Sequence, residues 1–164
     1  MHDSLQLVAS GKRRTDDLDA TADALLVASR ALVGVAARTL PDSAGVTLQQ
    51  YRVLVLLFSE GGTTVGRLAI RLGVHQSSVT RLCDRLAGKE LIKRTSGIED
   101  RREIQISLSA AGRRLVERVS AQRRDELREV AARMSVEARQ QAVAGLLAFA
   151  EAAGERTFLL DPLS

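Results

Sequence analysis

Residues 63–108 constrain the fold of this 164-residue chain more than any other segment. Apolar residues first recur there at helical spacing, Gly73 interrupts the pattern, and a second helical pattern extends from Gln76 to about Ala87. A glycine at this point suits the left-handed residue that ends many helices. Two short helices joined by a glycine-containing turn predict a helix-turn-helix unit.

Two short strands are expected directly after this unit. Residues 91–94 have the composition of a strand, and residues 103–108 alternate strictly between polar and apolar side chains. Residues 95–102 between them are polar and charged, which is typical of a turn. A hairpin that follows a helix-turn-helix is the wing of a winged helix, so we predict a winged-helix lobe.

Long helices are predicted on both sides of this lobe. Apolar residues recur at helical spacing over about residues 15–40, and Ser109 and Ser135 can each cap a later helix. Because such helices exceed what the lobe needs for its own core, we expect a homodimer; the alternative is a monomeric bundle stacked on the lobe. The fold class is thus mainly α with a small β-hairpin wing. The expected boundaries are 1–14 for a polar N-terminal extension, 47–108 for the lobe, and 15–46 with 109–164 for the dimerisation helices.

The positive charge of the chain is concentrated in one segment. Residues 67–102 hold nine basic and four acidic side chains, which gives 9 − 4 = +5, whereas the whole chain carries +4. A basic patch of this kind is typical of surfaces that neutralise phosphates, although a solvated charged face has the same composition. Its position on the helix-turn-helix and hairpin favours double-stranded DNA as the partner.

Several other classes of protein are disfavoured by the composition. With one cysteine, Cys83, and two histidines, His2 and His75, the chain has no disulfide pair and no cluster at zinc spacing, so we predict no metal and no cofactor. Cys83 and His75 would lie about 12 Å apart along a helix, too far for a nucleophile and its base, so we predict no catalytic residues and no enzyme. Charged residues interrupt the apolar stretches before the roughly 18 residues of a membrane span, so we expect a cytoplasmic protein without membrane contact.

Two motifs in these contexts resemble those of the MarR family of bacterial transcription regulators. The recognition-helix pattern V-T-R-L-x-D-x-L is matched over residues 79–86. The wing pattern D-x-R, with L-[TS]-x-x-G after the following strand, is matched over residues 100–102 and 108–112. The resemblance covers about residues 15–155. It implies a homodimer that reads a palindromic operator, most often as a repressor; a sequence-neutral chromosome-binding protein is the alternative.

The resemblance also implies which residues contact DNA. The recognition helix would enter the major groove, where Gln and Arg read base edges and Ser and Thr bond bases or phosphates. The residues expected on that face are Gln76, Ser77, Ser78, Thr80 and Arg81. Those expected to hold backbone phosphates are Arg85, Arg71 and Lys89. At the wing tip, beside Arg101, Arg102 is expected to enter the minor groove with Asp100 as the carboxylate that orients it.

Members of this family commonly leave DNA when a small anionic aromatic or lipophilic compound binds between the dimerisation helices and the lobe. Arg30, Arg38 and Tyr51 are the candidate anchors for such an effector, and interface or surface roles are the alternative. His75 stands where the family more often has a Ser or Asp cap, and is either an exposed turn residue or a phosphate contact. Cys83 lies on the inward stripe of the recognition helix, so we predict a small buried core residue.

Overall fold

The computed structural model describes residues 3–40, 45–96 and 104–155, and the side chains of residues 16–40, 45–95 and 104–155. The predicted wing-tip residues Asp100, Arg101 and Arg102 lie outside this description. The chain divides into two units, residues 1–39 and residues 40–164.

The first unit is one long helix, α1 (Asp3–Thr39). It begins earlier than the predicted start near Thr15, so the segment predicted as a polar extension is largely helical. By length and composition, residues 16–39 of this helix could cross a membrane, with a mean hydropathy of 1.5 over 18 residues. Asp23 and Arg30 interrupt this stretch, as expected, but the Ala, Leu and Val residues around them keep its mean hydropathy at that value.

The second unit contains the helix-turn-helix, the hairpin and the later helices. The predicted fold class, mainly α with a small wing, is confirmed. Its elements are α2 (Leu48–Glu60), β1 (Thr63–Thr64), α3 (Val65–Leu72), α4 (Gln76–Ala87), β2 (Ile92–Ser96), β3 (Ile104–Leu108), α5 (Ala110–Ala132) and α6 (Val136–Ala152).

Capping geometry sets the ends of the helices in this unit, and Ser109 and Ser135 cap α5 and α6 as predicted. The Thr47 hydroxyl accepts the N–H of Gln50, and the Gln50 side-chain oxygen accepts the N–H of Thr47, which completes the capping box of α2. Thr64 caps α3, and Gly73 ends it with a φ of 65°. Since the left-handed region is costly for a residue with a Cβ, glycine at this position sets the turn between α3 and α4.

The sheet has one strand more than the predicted hairpin. Its order is β1-β3-β2, all antiparallel, so β3 is the central strand. Ile106 of β3 pairs with Thr63 on one side and with Arg94 on the other. A two-residue strand is too short to show alternation, which explains why β1 was not predicted.

The hydrophobic core of the second unit lies between the helices and the sheet. Helices α2, α3, α4 and α5 and strand β3 all contribute fully buried side chains, so α4 is fixed along one whole face. The largest of them include Leu54, Leu57, Leu68, Leu86, Ile106, Val116 and Val119.

Candidate nucleic-acid interface

Helix α4 has one buried and one exposed face. Val79, Cys83 and Leu86 on the inner face have no exposed surface. This is the stripe that the sequence predicted, with Leu82 partly buried beside it. The outer face consists of the exposed side chains Gln76, Ser77, Ser78, Thr80, Arg81, Asp84 and Arg85. A helix held by its apolar stripe therefore presents a continuous polar and basic surface to solvent.

The N-terminus of α4 is capped differently from the other helices of this unit. His75 occupies the N-cap position and is exposed, and its side chain makes no capping hydrogen bond. The N–H groups of the first turn, which lie at the positive end of the helix dipole, thus have no side-chain acceptor from this residue. Such a helix end favours an anionic partner, and phosphate is one.

An ion pair joins the hairpin to α4. The Arg94 guanidinium on β2 donates to the Asp84 carboxylate on α4. Both side chains are partly exposed, so the pair adds little to stability, and its main effect is to fix the position of the hairpin beside α4. Sequence reasoning counted both charges but missed their pairing, because a helix surface and the strand that follows it show no common periodicity.

The base of the hairpin is fixed by the L-S-x-x-G motif. The Ser109 hydroxyl accepts the N–H of Gly112 at 3.0 Å and donates to the Glu90 carbonyl at 2.6 Å, while the Ser109 N–H donates to the Leu91 carbonyl at 3.1 Å. Gly112 packs so closely that a Cβ there would lie 2.0 Å from the Leu91 oxygen. Through these contacts the motif holds the start of α5 against the residues that precede β2.

Comparisons with known proteins agree with this geometry. The MarR family model matches residues 46–104. RV1404 from Mycobacterium tuberculosis is 38% identical with a TM-score of 0.79, and the alignment covers 86% of this chain and 97% of that chain. The chain belongs to the MarR family. A second solved MarR-fold relative, the YusO protein from Bacillus subtilis, is 30% identical with a TM-score of 0.63 and covers the same shares of both chains.

Curated relatives align over a shorter region. The transcriptional repressor MdtR of Bacillus subtilis is 41% identical over 83 residues, which are 51% of this chain and 54% of that protein. The chain thus spans about half the length of such relatives. They carry the name of helix-turn-helix transcriptional regulators, and membership of the MarR family places this chain in that class.

Two of the predicted phosphate contacts have other partners in this MarR-family structure. The Arg71 guanidinium pairs with the Glu60 carboxylate at 3.4 Å and donates to the Gly154 carbonyl at 3.2 Å. The Lys89 ammonium donates to the Gly45 carbonyl. Sequence reasoning saw the charges of both residues but not these acceptors, which lie far away along the chain. Arg85, in contrast, is exposed on the outer face of α4.

The three candidate effector anchors are in different environments. Arg30 and Arg38 are exposed on α1. Tyr51 is only 2% exposed, and its hydroxyl lies 3.5 Å from the Val116 carbonyl and 3.3 Å from the Ser120 hydroxyl. These contacts make Tyr51 a packing residue between α2 and α5, while its role toward an effector stays a prediction.

Cys83 is buried, as predicted for a core residue. Burial raises the pKa of its thiol from an ordinary 9.0 to about 11, Arg94 opposes this shift, and Asp84 adds to it. The folded state thus favours the protonated thiol. This contribution to the free energy of unfolding is fully present below pH 9 and is lost as the pH rises toward 11.

Cys83 is therefore expected to react slowly with thiol reagents in the native protein. A pKa of about 11 instead of 9.0 lowers the thiolate fraction at pH 8 by about a hundredfold. Iodoacetamide alkylation at pH 8, followed by mass spectrometry, measures this rate, and the urea-unfolded chain is the control. Equal rates in the two states would show that Cys83 is accessible and ionised.

Proposed function

We propose that this chain is a sequence-specific DNA-binding transcriptional regulator that reads its operator with α4. This proposal rests on the division of α4 into a fully buried apolar face and an exposed face that includes hydroxyl, amide and guanidinium groups. Gln76 and Arg81 can form bidentate hydrogen bonds with base edges in the major groove, and Ser77, Ser78 and Thr80 can bond bases or phosphates. A protein that binds DNA without sequence preference would not need this set of side chains that can contact base edges.

The hairpin supports a second contact with DNA. The β2-β3 ladder ends at the pair Ser96 and Ile104, and the sequence that connects these two residues includes Asp100, Arg101 and Arg102. We assign Arg102 to the minor groove, where a narrow groove concentrates negative potential, with Asp100 orienting it and Arg101 beside it. Arg85 on α4 is assigned to a backbone phosphate.

The proposed regulator is a homodimer on a palindromic operator. Long helices at both ends of the chain carry exposed apolar residues, including Leu26 and Val27 on α1 and Val143 and Leu147 on α6. Apolar surface of this extent marks an interaction site. A protein surface suits α1 better than a membrane, since Asp23 and Arg30 would each cost about 2.5–3.5 kcal/mol near a bilayer centre. The dimerisation regions are residues 15–46 and 109–164, with residues 47–108 as the reading lobe.

Repression and release by a small effector complete the proposal. MdtR, the relative that is 41% identical over its matched region, is named a repressor, which supports the same sign of regulation here. An effector that binds better when the two copies of α4 are wrongly spaced for successive major grooves, roughly 34–36 Å apart, must weaken DNA binding. Arg30 and Arg38 are suitable for an anionic effector. A regulator of this kind acts in the cytoplasm.

Operator selection from the DNA that flanks its own coding region tests the proposal. A specific regulator should prefer one duplex over random duplex by about a thousandfold or more at fixed salt. Footprinting then shows whether the protected site is a palindrome. A chain that binds all duplexes equally, with affinity set only by salt, is a sequence-neutral binder instead.

Arg81→Ala is expected to weaken operator binding by about 1–3 kcal/mol and to relax base preference at one position of each half-site. The loss follows from removing a base-reading guanidinium from the exposed face of α4. Fluorescence anisotropy at fixed salt measures the affinity for the selected operator and for single-base variants. Arg118→Ala, which removes an exposed arginine from α5, is the matched control. If the two variants lose the same affinity for every duplex, Arg81 is not a base reader.

A further inference from the structure

The end of helix α6 lies against α2 and α3. The Gly154 carbonyl accepts a hydrogen bond from Arg71 on α3 at 3.2 Å. The Glu155 carboxylate lies 3.9 Å from the Arg52 guanidinium on α2. Arg71 also pairs with Glu60 at 3.4 Å, so its side chain is held in position independently of the α6 end. The last described residues of the chain are therefore anchored beside the helix-turn-helix.

Two exposed apolar residues, called the apolar patch below, flank Arg71 and the turn at Gly73. Ile70 immediately precedes Arg71 on α3 and is 81% exposed, and Val74 follows Gly73 and is 41% exposed. Leu68 and Ala69 of α3 are buried in the core and Val65 and Leu72 pack against it, whereas Ile70 and Val74 do not belong to that core. Burial of an isoleucine side chain stabilises a folded protein, so a segment that covers Ile70 would gain free energy.

The chain beyond Glu155 has the composition to cover this patch. Residues 158–160 are Phe, Leu and Leu, and Asp161 follows them. Residues 158–160 follow Glu155 by three to five residues, so an extended chain can carry them about 10–17 Å from the anchor toward this patch. Arg67, one turn before Ile70 on α3 and exposed, offers a positive charge to the Asp161 carboxylate.

We propose that residues 156–164, the last part of the region 109–164 assigned above to dimerisation, dock instead on α3 of the same chain and cover Ile70 and Val74 with Phe158 and its neighbours, which leaves the helices before them to form the dimer. The docked segment would stabilise the turn that presents α4, because the Gly73 N–H donates to the Ile70 carbonyl and the Val74 N–H to the Ala69 carbonyl. This inference does not depend on DNA binding.

Disulfide trapping tests the docking directly. In a full-length Cys83→Ala background, Ile70→Cys with Leu159→Cys should oxidise to a cross-linked single chain that migrates faster on a non-reducing gel. Leu48→Cys with Leu159→Cys is the matched control, because Leu48 is also exposed (48%) and lies one turn before Arg52. Preferential cross-linking at Ile70 supports the proposal. Equal cross-linking at both sites, no cross-link, or a cross-linked dimer overturns it, the last by assigning the segment to the partner chain.

Hydrogen exchange provides a second measurement that needs no new cysteine. A chain that ends at Glu155 should exchange the amides of Gly73 and Val74 roughly tenfold faster than the full chain, because the cover over the turn is gone. Amides in the core of α5, around Val116, should be unaffected and report that the truncated chain is folded. Unchanged exchange at Gly73 and Val74 would contradict the docking.

Discussion

Val143→Glu is expected to convert the proposed dimer into monomers and to weaken operator binding by about 10²–10⁴-fold, since two linked lobes bind more tightly than one. Val143 is 60% exposed in the single chain, and no residue of α6 is fully buried there, so a glutamate costs little in the monomer. In the proposed dimer the same carboxylate is buried without a partner, at a cost of several kcal/mol per copy. Light scattering should find a mass near 17.7 kDa instead of twice that value.

Gln141→Glu is the matched control for this variant. It adds the same charge to an exposed position of the same helix, away from the side that carries Val143 and Leu147. This control should remain dimeric and bind operator normally. If Val143→Glu is also dimeric, α6 does not form the interface in the way we propose. Mass and binding have to be measured at one protein concentration, because the stability of a dimer depends on it.

Local patterns explain why most of the fold could be predicted. The bounds of α4 and the caps at Ser109 and Ser135 follow from spacing and side-chain chemistry within a few residues, and the structure has them as predicted. Strand β1 could not be predicted in this way, since its two residues gain strand geometry only by pairing with β3. The early start of α1 was missed because polar residues mask helical periodicity.

The candidate interface could also be predicted from local patterns, except for the contacts between residues that are distant in the sequence. The exposed face of α4 is a consequence of its apolar stripe, so the readers could be listed from the sequence. The partners of Arg71, Lys89 and Arg94 come from residues that only the fold brings near. A charge count therefore locates a basic surface but does not show which of its cations the protein already uses.

Gly112→Ala is expected to destabilise the second unit by about 2–4 kcal/mol, which combines overpacking with the loss of a hydrogen bond. The new Cβ would lie 2.0 Å from the Leu91 oxygen and 3.2 Å from a Leu108 methyl group. The Leu91 carbonyl cannot retreat freely because it accepts the Ser109 N–H at 3.1 Å. Alanine is a better helix former than glycine by about 1 kcal/mol, so the close approach must outweigh that gain.

Gly145→Ala separates these two effects. Gly145 is a helical glycine in α6, and its Cβ would meet nothing within 4 Å, so only the helix-propensity gain applies. Urea unfolding followed by circular dichroism should give a lower midpoint for Gly112→Ala and an equal or higher midpoint for Gly145→Ala, with the same slope. If both variants are stabilised, the backbone of Gly112 lies farther from the Leu91 carbonyl than a Cβ–oxygen distance of 2.0 Å implies. The glycine of the L-S-x-x-G motif would then need an explanation other than packing.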